Sequence, residues 1–159
     1  MRFSILFFAF LFFLACSEIN SGYPVDGGGY IKYSVNKGLE RTIKLSPEDA
    51  TVPDYGRHYF SITTREERSS IGDIISFLIA SPKLGKNQIV ENYTWFVHEY
   101  ALKSSVILDS SEIILDEKND SIWTGYFKLY FPDCKTGTCD KNKILEVDGR
   151  FRYWIDPDD

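Results

Sequence analysis

Two histidines and three cysteines are all the soft metal ligands that 159 residues offer, and neither His58 nor His98 stands at metal-site spacing from a cysteine. That scarcity argues against a zinc knuckle, which needs four thiolate or imidazole ligands in close local spacing. Other signatures are missing as well. No G-x-S-x-G elbow and no H-E-x-x-H pair occurs, and no Gly-Lys-Ser/Thr follows Gly27-Gly28-Gly29, so a serine nucleophile, a zincin helix and a phosphate-cradling loop are all unsupported. Basic residues number 18 against 23 acidic ones, with no basic cluster along the chain. A surface of that sign repels phosphate backbones and gains nothing from anionic lipid heads, so no nucleic acid is expected as partner.

A membrane-spanning apolar run is absent too. Phe3 to Ala15 follows Arg2 without charge, Gly or Pro, but it falls short of the about 20 residues a spanning helix needs and matches a secretory h-region of about 7–15. The run stops at Cys16. The stretch Phe13-Leu14-Ala15-Cys16 resembles the lipobox of bacterial lipoproteins, in which the cysteine thiol is acylated and becomes the mature N-terminus; Leu is usual where Phe13 stands, and a residue smaller than Leu14 next to it. The competing reading is conventional cleavage after Ser17, with Ala15 and Ser17 as the small residues, giving a secreted or periplasmic soluble protein. Several acyl chains would make a stable anchor, since each buried CH₂ contributes about 0.8 kcal/mol. The expected address is the bacterial cell envelope, lipid-anchored at the outer membrane.

The division that follows is a signal peptide over 1–15, the lipidated Cys16 with a Gly/Pro-rich tether over 16–29, and one β-rich domain over 30–159. Loss of Arg2 leaves 17 basic against 23 acidic residues, a net charge of −6. Two cysteines remain, Cys134 and Cys139, and in an oxidising compartment that even pair reads as a disulfide.

Strand signals dominate the domain. "GYIKYSV" (29–35) and "LERTIKL" (39–45) flank "NKG", where Gly38 is expected to supply the positive φ of a hairpin turn. "RHYFSITT" (57–64) alternates. Residues 73–80 read as a strand, with a short helix over 66–72 as the alternative, because Gly72 and repeated Ile weaken helical spacing. "NYTWFVHEYALKSSVILD" (92–109) and "SEIILDE" (111–117) continue the β pattern, and "KND" (118–120) marks a turn.

The C-terminal pair is the most informative. Trp123, Gly125, Phe127, Leu129 and Phe131 form one apolar set, and Leu145, Val147, Gly149, Phe151, Tyr153 and Ile155 form another. Both sets are odd-numbered. Cysteines 134 and 139 directly opposed in an unbroken ladder would set odd residues opposite even ones and drive one apolar set into water. The disulfide therefore has to clip an irregular loop over about Pro132 to Asn142, or a bulge there has to absorb one residue.

The segments "NYTW", "EIILD", "IWTGYFKLYF" and "ILEVDGRFRYWI", with their two Gly-x-Phe steps at Gly125-Tyr126-Phe127 and Gly149-Arg150-Phe151, resemble a lipoprotein domain family of unknown function common in Bacteroidota, over residues 73–156. The resemblance implies a mainly β, antiparallel β-sandwich-like domain on a lipid anchor, and it brings no catalytic residue. Read from its residues alone, each Gly-x-Phe lets the sheet bend or a large neighbour lie over the glycine. A lipocalin-like β-barrel is the alternative fold.

Candidate sites are few. His58 and His98 sit among aromatic residues and read as strand residues with satisfied rings. Tyr126 and Tyr130 alternate away from the inferred core; cross-strand packing explains them, and a stacking face for a sugar or a protein is the functional alternative. The expected function is a non-catalytic binding or assembly module, contacting the membrane through its N-terminal lipid and an envelope protein or glycan through the domain. The alternative is a lipocalin-like carrier of a small apolar ligand; an enzyme comes third, and no cofactor or metal is implied.

Overall fold

The computed structural model describes residues 27–52, 58–65, 72–99, 101, 103–135 and 138–155. Cys16, the signal segment, most of the tether and the helical alternative before Gly72 lie outside the described residues. The described residues form eleven strands in one antiparallel sheet: β1 (Gly28–Val35), β2 (Arg41–Leu45), β3 (Ala50–Thr51), β4 (Tyr59–Thr63), β5 (Ile74–Ala80), β6 (Gly85–Ile89), β7 (Trp95–Val97), β8 (Ser104–Ser105), β9 (Glu112–Lys118), β10 (Ile122–Lys135) and β11 (Thr138–Trp154). The order β2-β1-β11-β10-β9-β6-β5-β4-β3 is open, with β7 on β5 and β8 on β7. The fold is thus mainly β and sandwich-like, and the alternative of a closed barrel is not what forms.

The fold-over occurs within β6. Its residues 85–87 pair with Ile113 to Leu115 of β9, and Gln88 and Ile89 pair with Ala80 and Ile79 of β5. One strand therefore serves both layers, the device by which a sandwich turns a corner. The strand reading of 73–80 holds, with Ile75, Phe77 and Ile79 fully buried. The long β-prone run over 92–109 is broken instead: β7 and β8 take only five of its residues, between 3-10 turns at Glu91–Tyr93 and Leu108–Ser110.

Aromatic rings fill the space between the layers. Phe60 of β4 stacks on Trp123 of β10 at 4.7 Å and on Phe151 of β11 at 5.6 Å, while Phe77 of β5 meets Phe127 at 5.7 Å and Phe151 at 5.4 Å. Phe96 of β7 packs on Phe131 at 5.5 Å. Such pairs contribute about 0.5–1.5 kcal/mol each beyond the area they bury. The two Gly-x-Phe steps explain how the rings fit. Gly125 lies directly opposite Phe151, and Phe127 directly opposite Gly149. A Cβ on Gly149 would stand 2.8 Å from the Phe127 ring and 2.4 Å from the Lys32 carbonyl oxygen, and one on Gly125 would stand 3.0 Å from the Phe151 ring. Each glycine makes the room that the opposite phenylalanine occupies.

The cysteine constraint is met by a bulge. Partners keep odd opposite odd from Trp123↔Tyr153 to Phe131↔Leu145, Pro132 faces Ile144, and then Asp133 faces Asp140 and Cys134 faces Cys139. Lys141, Asn142 and Lys143 are left over, so the bulge absorbs three residues where one was expected. An odd number restores the parity in either case. Cys134 and Cys139 are joined, and Cys134 also accepts a hydrogen bond from Ser104 Oγ of β8 at 2.8 Å.

Two local expectations need correction. The positive φ after β1 falls on Asn36 (51°) and Lys37 (58°), with Gly38 donating its N–H to the Val35 carbonyl at 2.9 Å. Asn is among the few non-glycine residues that enter that region readily, and its side chain there accepts from the Glu146 N–H of β11, a tertiary contact. Gly28 and Gly29, expected at the end of the tether, belong to β1 and pair with Trp154 and Tyr153. Only glycine fits there: a Cβ on Gly29 would collide with the Arg152 carbonyl oxygen.

Candidate binding face

Two polar regions stand out, one buried and one open. The buried one centres on Asp73, just before β5, whose side chain is 0% exposed. Tyr33 of β1 donates to its Oδ2 at 2.6 Å, as does Arg41 of β2 at 2.6 Å. On Oδ1 it receives the Glu99 N–H at 2.8 Å and His98 Nδ1 at 3.1 Å. Burial opposes the charge, but hydrogen bonds from His98, Tyr33, the Glu99 N–H and Arg41 outweigh it and hold the carboxyl at about 2. The same burial, with the Asp73 carboxylate beside it, pushes the Tyr33 phenol upward. Glu99 adopts a φ of 49° to present its N–H, a left-handed conformation worth about 1 kcal/mol of strain.

This node draws on four separate segments and ties the two layers together at one end. Its carboxylate is saturated with donors, which suits a structural clamp and leaves no lone pair for abstracting a proton. His98 is thereby a satisfied ring, stacked on Phe96 at 5.6 Å. His58 is exposed at the start of β4 and takes no part. Among the described residues no group of His, Cys, Asp and Glu could hold a metal ion.

The open region is the outer face of the β2-β1-β11-β10 layer, where the even-numbered residues point away from the rings. Register aligns them in rows. Lys44, Tyr30, Arg152 and Thr124 form one row, and Thr42, Lys32, Arg150 and Tyr126 form the next. The first row runs on to Glu117 of β9 and the second to Ile114, so these ten same-face positions carry four cations, two tyrosines, two threonines, one isoleucine and one acid. The following row is mixed: Ser34, Asp148, Lys128 and Glu112.

Two shallow depressions mark this face. A groove of about 540 Å³ is lined by the cations Lys32, Lys128 and Arg150 and the acids Glu40, Glu112 and Asp148, with Ser34 and Tyr126 among others. A smaller one of about 280 Å³, between Tyr30, Asp116, Glu117, Thr124 and Arg152, shares Arg150 with the first. The charges at the margins are matched: Lys128 with Glu146 at 3.3 Å, Lys86 with Glu112 at 3.4 Å, and Asp148 with the Ser34 hydroxyl at 2.8 Å. Those at the centre are not. Among the described residues the Arg150 side chain makes no ion pair or hydrogen bond, and Arg152, whose guanidinium lies over the Trp154 ring at 5.1 Å, has a buried Nε without a hydrogen-bond partner.

Tyr126 and Tyr130 both lie on this face, as their parity requires. Tyr126 is 43% exposed and lines the larger groove. Tyr130 is half-buried beyond it, under the Lys128 ammonium at 5.6 Å. Lys32, Lys44 and Tyr30 carry no local signal for this face, because they reach it only when β1 docks beside β11 across more than a hundred residues.

No protein-family model, no curated protein and no solved structure matches the chain.

Proposed function

We propose that the protein is an exported bacterial lipoprotein, fastened to the envelope through acylated Cys16, whose domain works as a binding or assembly module with no chemistry of its own. The observation that carries the reading is the contrast between a sandwich interior filled by rings in mutual contact and an outer face holding open grooves and unmatched cations around Tyr126. Such a face suits recognition. Among the described residues no helix is long and apolar enough to cross a membrane, so the attachment rests on the lipobox-like Phe13-Leu14-Ala15-Cys16. The Bacteroidota lipoprotein resemblance over residues 73–156 supports the same setting at the outer membrane.

The lipocalin-like carrier has less support, since the path of strands is open and Phe60, Phe77 and Phe127 occupy the space a ligand would need. A photo-crosslinking amino acid at position 126, compared with one at position 141 in intact cells, tests the module. An adduct from 126 alone is expected, and its absence overturns the reading. Intact-mass analysis of the membrane fraction tests the anchor: a species starting at Cys16 and heavier by acyl chains is expected, and a soluble species starting at Glu18 refutes it.

A further inference from the structure

We infer that the basic block on the outer face recognises a carboxylated oligosaccharide, with Arg150 and Arg152 taking the ring-borne carboxylates and Tyr126 and Tyr30 stacking on the sugar rings. The inference rests on the binding-module reading and names its ligand class. Three observations carry it.

The first is a charge arrangement that costs the fold stability. Lys32 and Arg150 are directly opposed on one face of neighbouring antiparallel strands, a placement in which like charges repel. Arg152 follows two positions along β11, and Lys44 sits diagonally across β2 from Lys32. The one acid in these two rows is Glu117, on β9 opposite Thr124, one row and two strands from Arg150. An anionic ligand group supplies the missing counter-charge, and guanidinium forks grip planar carboxylates through paired hydrogen bonds.

The second is the placement of the rings. Tyr30 and Tyr126 stand at diagonal corners, two strands and two residues apart, a separation of about 12 Å from ordinary sheet spacings. They bracket the arginines, with Lys32 and Thr124 at the other corners, and Thr42 beside Lys32 on β2 offers a second hydroxyl. Flat rings, hydroxyls and forked cations on one open surface match a short acidic saccharide lying across the strands.

The third is what the block lacks. A protein partner held by aliphatic anchors finds none there: of the exposed large apolar side chains only Tyr126 belongs to the block, and Leu39, Leu84, Tyr93, Leu108 and Ile144 lie outside it. Its strands are paired on both sides apart from β2 at the edge, so β1, β11 and β10 offer a peptide no edge to extend.

The test is binding of the full-length protein, in detergent, to polygalacturonate, with its methyl ester supplying the same rings without charge. Tight, salt-sensitive binding to the acid and at least about tenfold weaker binding to the ester are expected. The R150Q/R152Q variant is expected to lose at least about tenfold while melting no lower than the wild type, and Y126S to lose about threefold. Polyglutamate, phosphatidylglycerol vesicles and oligothymidylate present charge without these sugars. Equal affinity for any of them, unaffected by Y126S, overturns the saccharide and points to an acidic protein, a lipid surface or a nucleic acid. No binding to polygalacturonate also overturns it, and the crosslinking result at position 126 then decides separately whether the face binds anything.

Discussion

The Asp73 node and the basic block use the same kinds of side chain to opposite ends. At the node one carboxylate accepts from Tyr33, Arg41, His98 and the Glu99 N–H, and it is out of contact with water. On the outer face Arg150 stands opposite Lys32, and the Arg150 side chain has neither an ion pair nor a hydrogen bond among the described residues. A buried charge has to be matched within the chain, because desolvation otherwise costs several kcal/mol per ion. An exposed charge can stay unmatched, since water screens it at a cost of a few tenths of a kcal/mol. Matched charge therefore marks structure here, and unmatched charge marks a surface available to something else.

The largest expected effect would break the node. Asp73→Ala strands the Arg41 guanidinium, the Tyr33 hydroxyl and the Glu99 N–H, and a loss of about 3–5 kcal/mol in denaturant unfolding is expected. A loss below about 1 kcal/mol would show that the network is replaceable by water. Next comes the ring packing between the two regions. Gly149→Ala pushes a methyl group into the Lys32 carbonyl and the Phe127 ring, and about 1–3 kcal/mol should be lost. A neutral result would mean that the layers part more easily than the contacts suggest.

Acid offers a graded version of the first test. The Asp73 carboxyl titrates at about 2 in the folded chain and near 3.9 when unfolded, so the unfolded chain binds the proton first as pH falls. Its contribution, roughly 2 kcal/mol, is whole above about pH 5 and drains away between about pH 4 and 2. The difference in stability between wild type and Asp73→Asn should shrink across that window, and a constant difference would remove the carboxylate charge from the explanation. The smallest effect belongs to the block. Arg150→Gln should change stability by less than about 0.5 kcal/mol, and upward, because it relieves repulsion from Lys32. A clear loss would mean that Arg150 supports the fold after all.

Legibility follows the range of the interaction. The apolar sets of β10 and β11 could be read from a period of two, and their shared parity, against two cysteines of opposite parity, demanded an odd interruption before any register was visible. How many residues the bulge holds is visible only in the register of the two strands, and local pattern does not carry that. The turn after β1 shows a similar limit: Gly38 looked like the left-handed residue, but the register of β1 with β11 places Asn36 and Lys37 there instead.

Neither polar region could be seen along the chain. The basic residues looked scattered because Lys44, Lys32, Arg150 and Arg152 are close only across strands, and the node needs Tyr33, Arg41, Asp73 and His98 from separate elements. Alternation, turn chemistry and the glycine-for-phenylalanine exchange are local or pairwise, so the residue order by itself determined the β class, the inward faces and the need for a bulge. Which strands become neighbours depends on how the whole aromatic core closes, and that step alone decided where the charges meet, which of them are matched, and which face is left open.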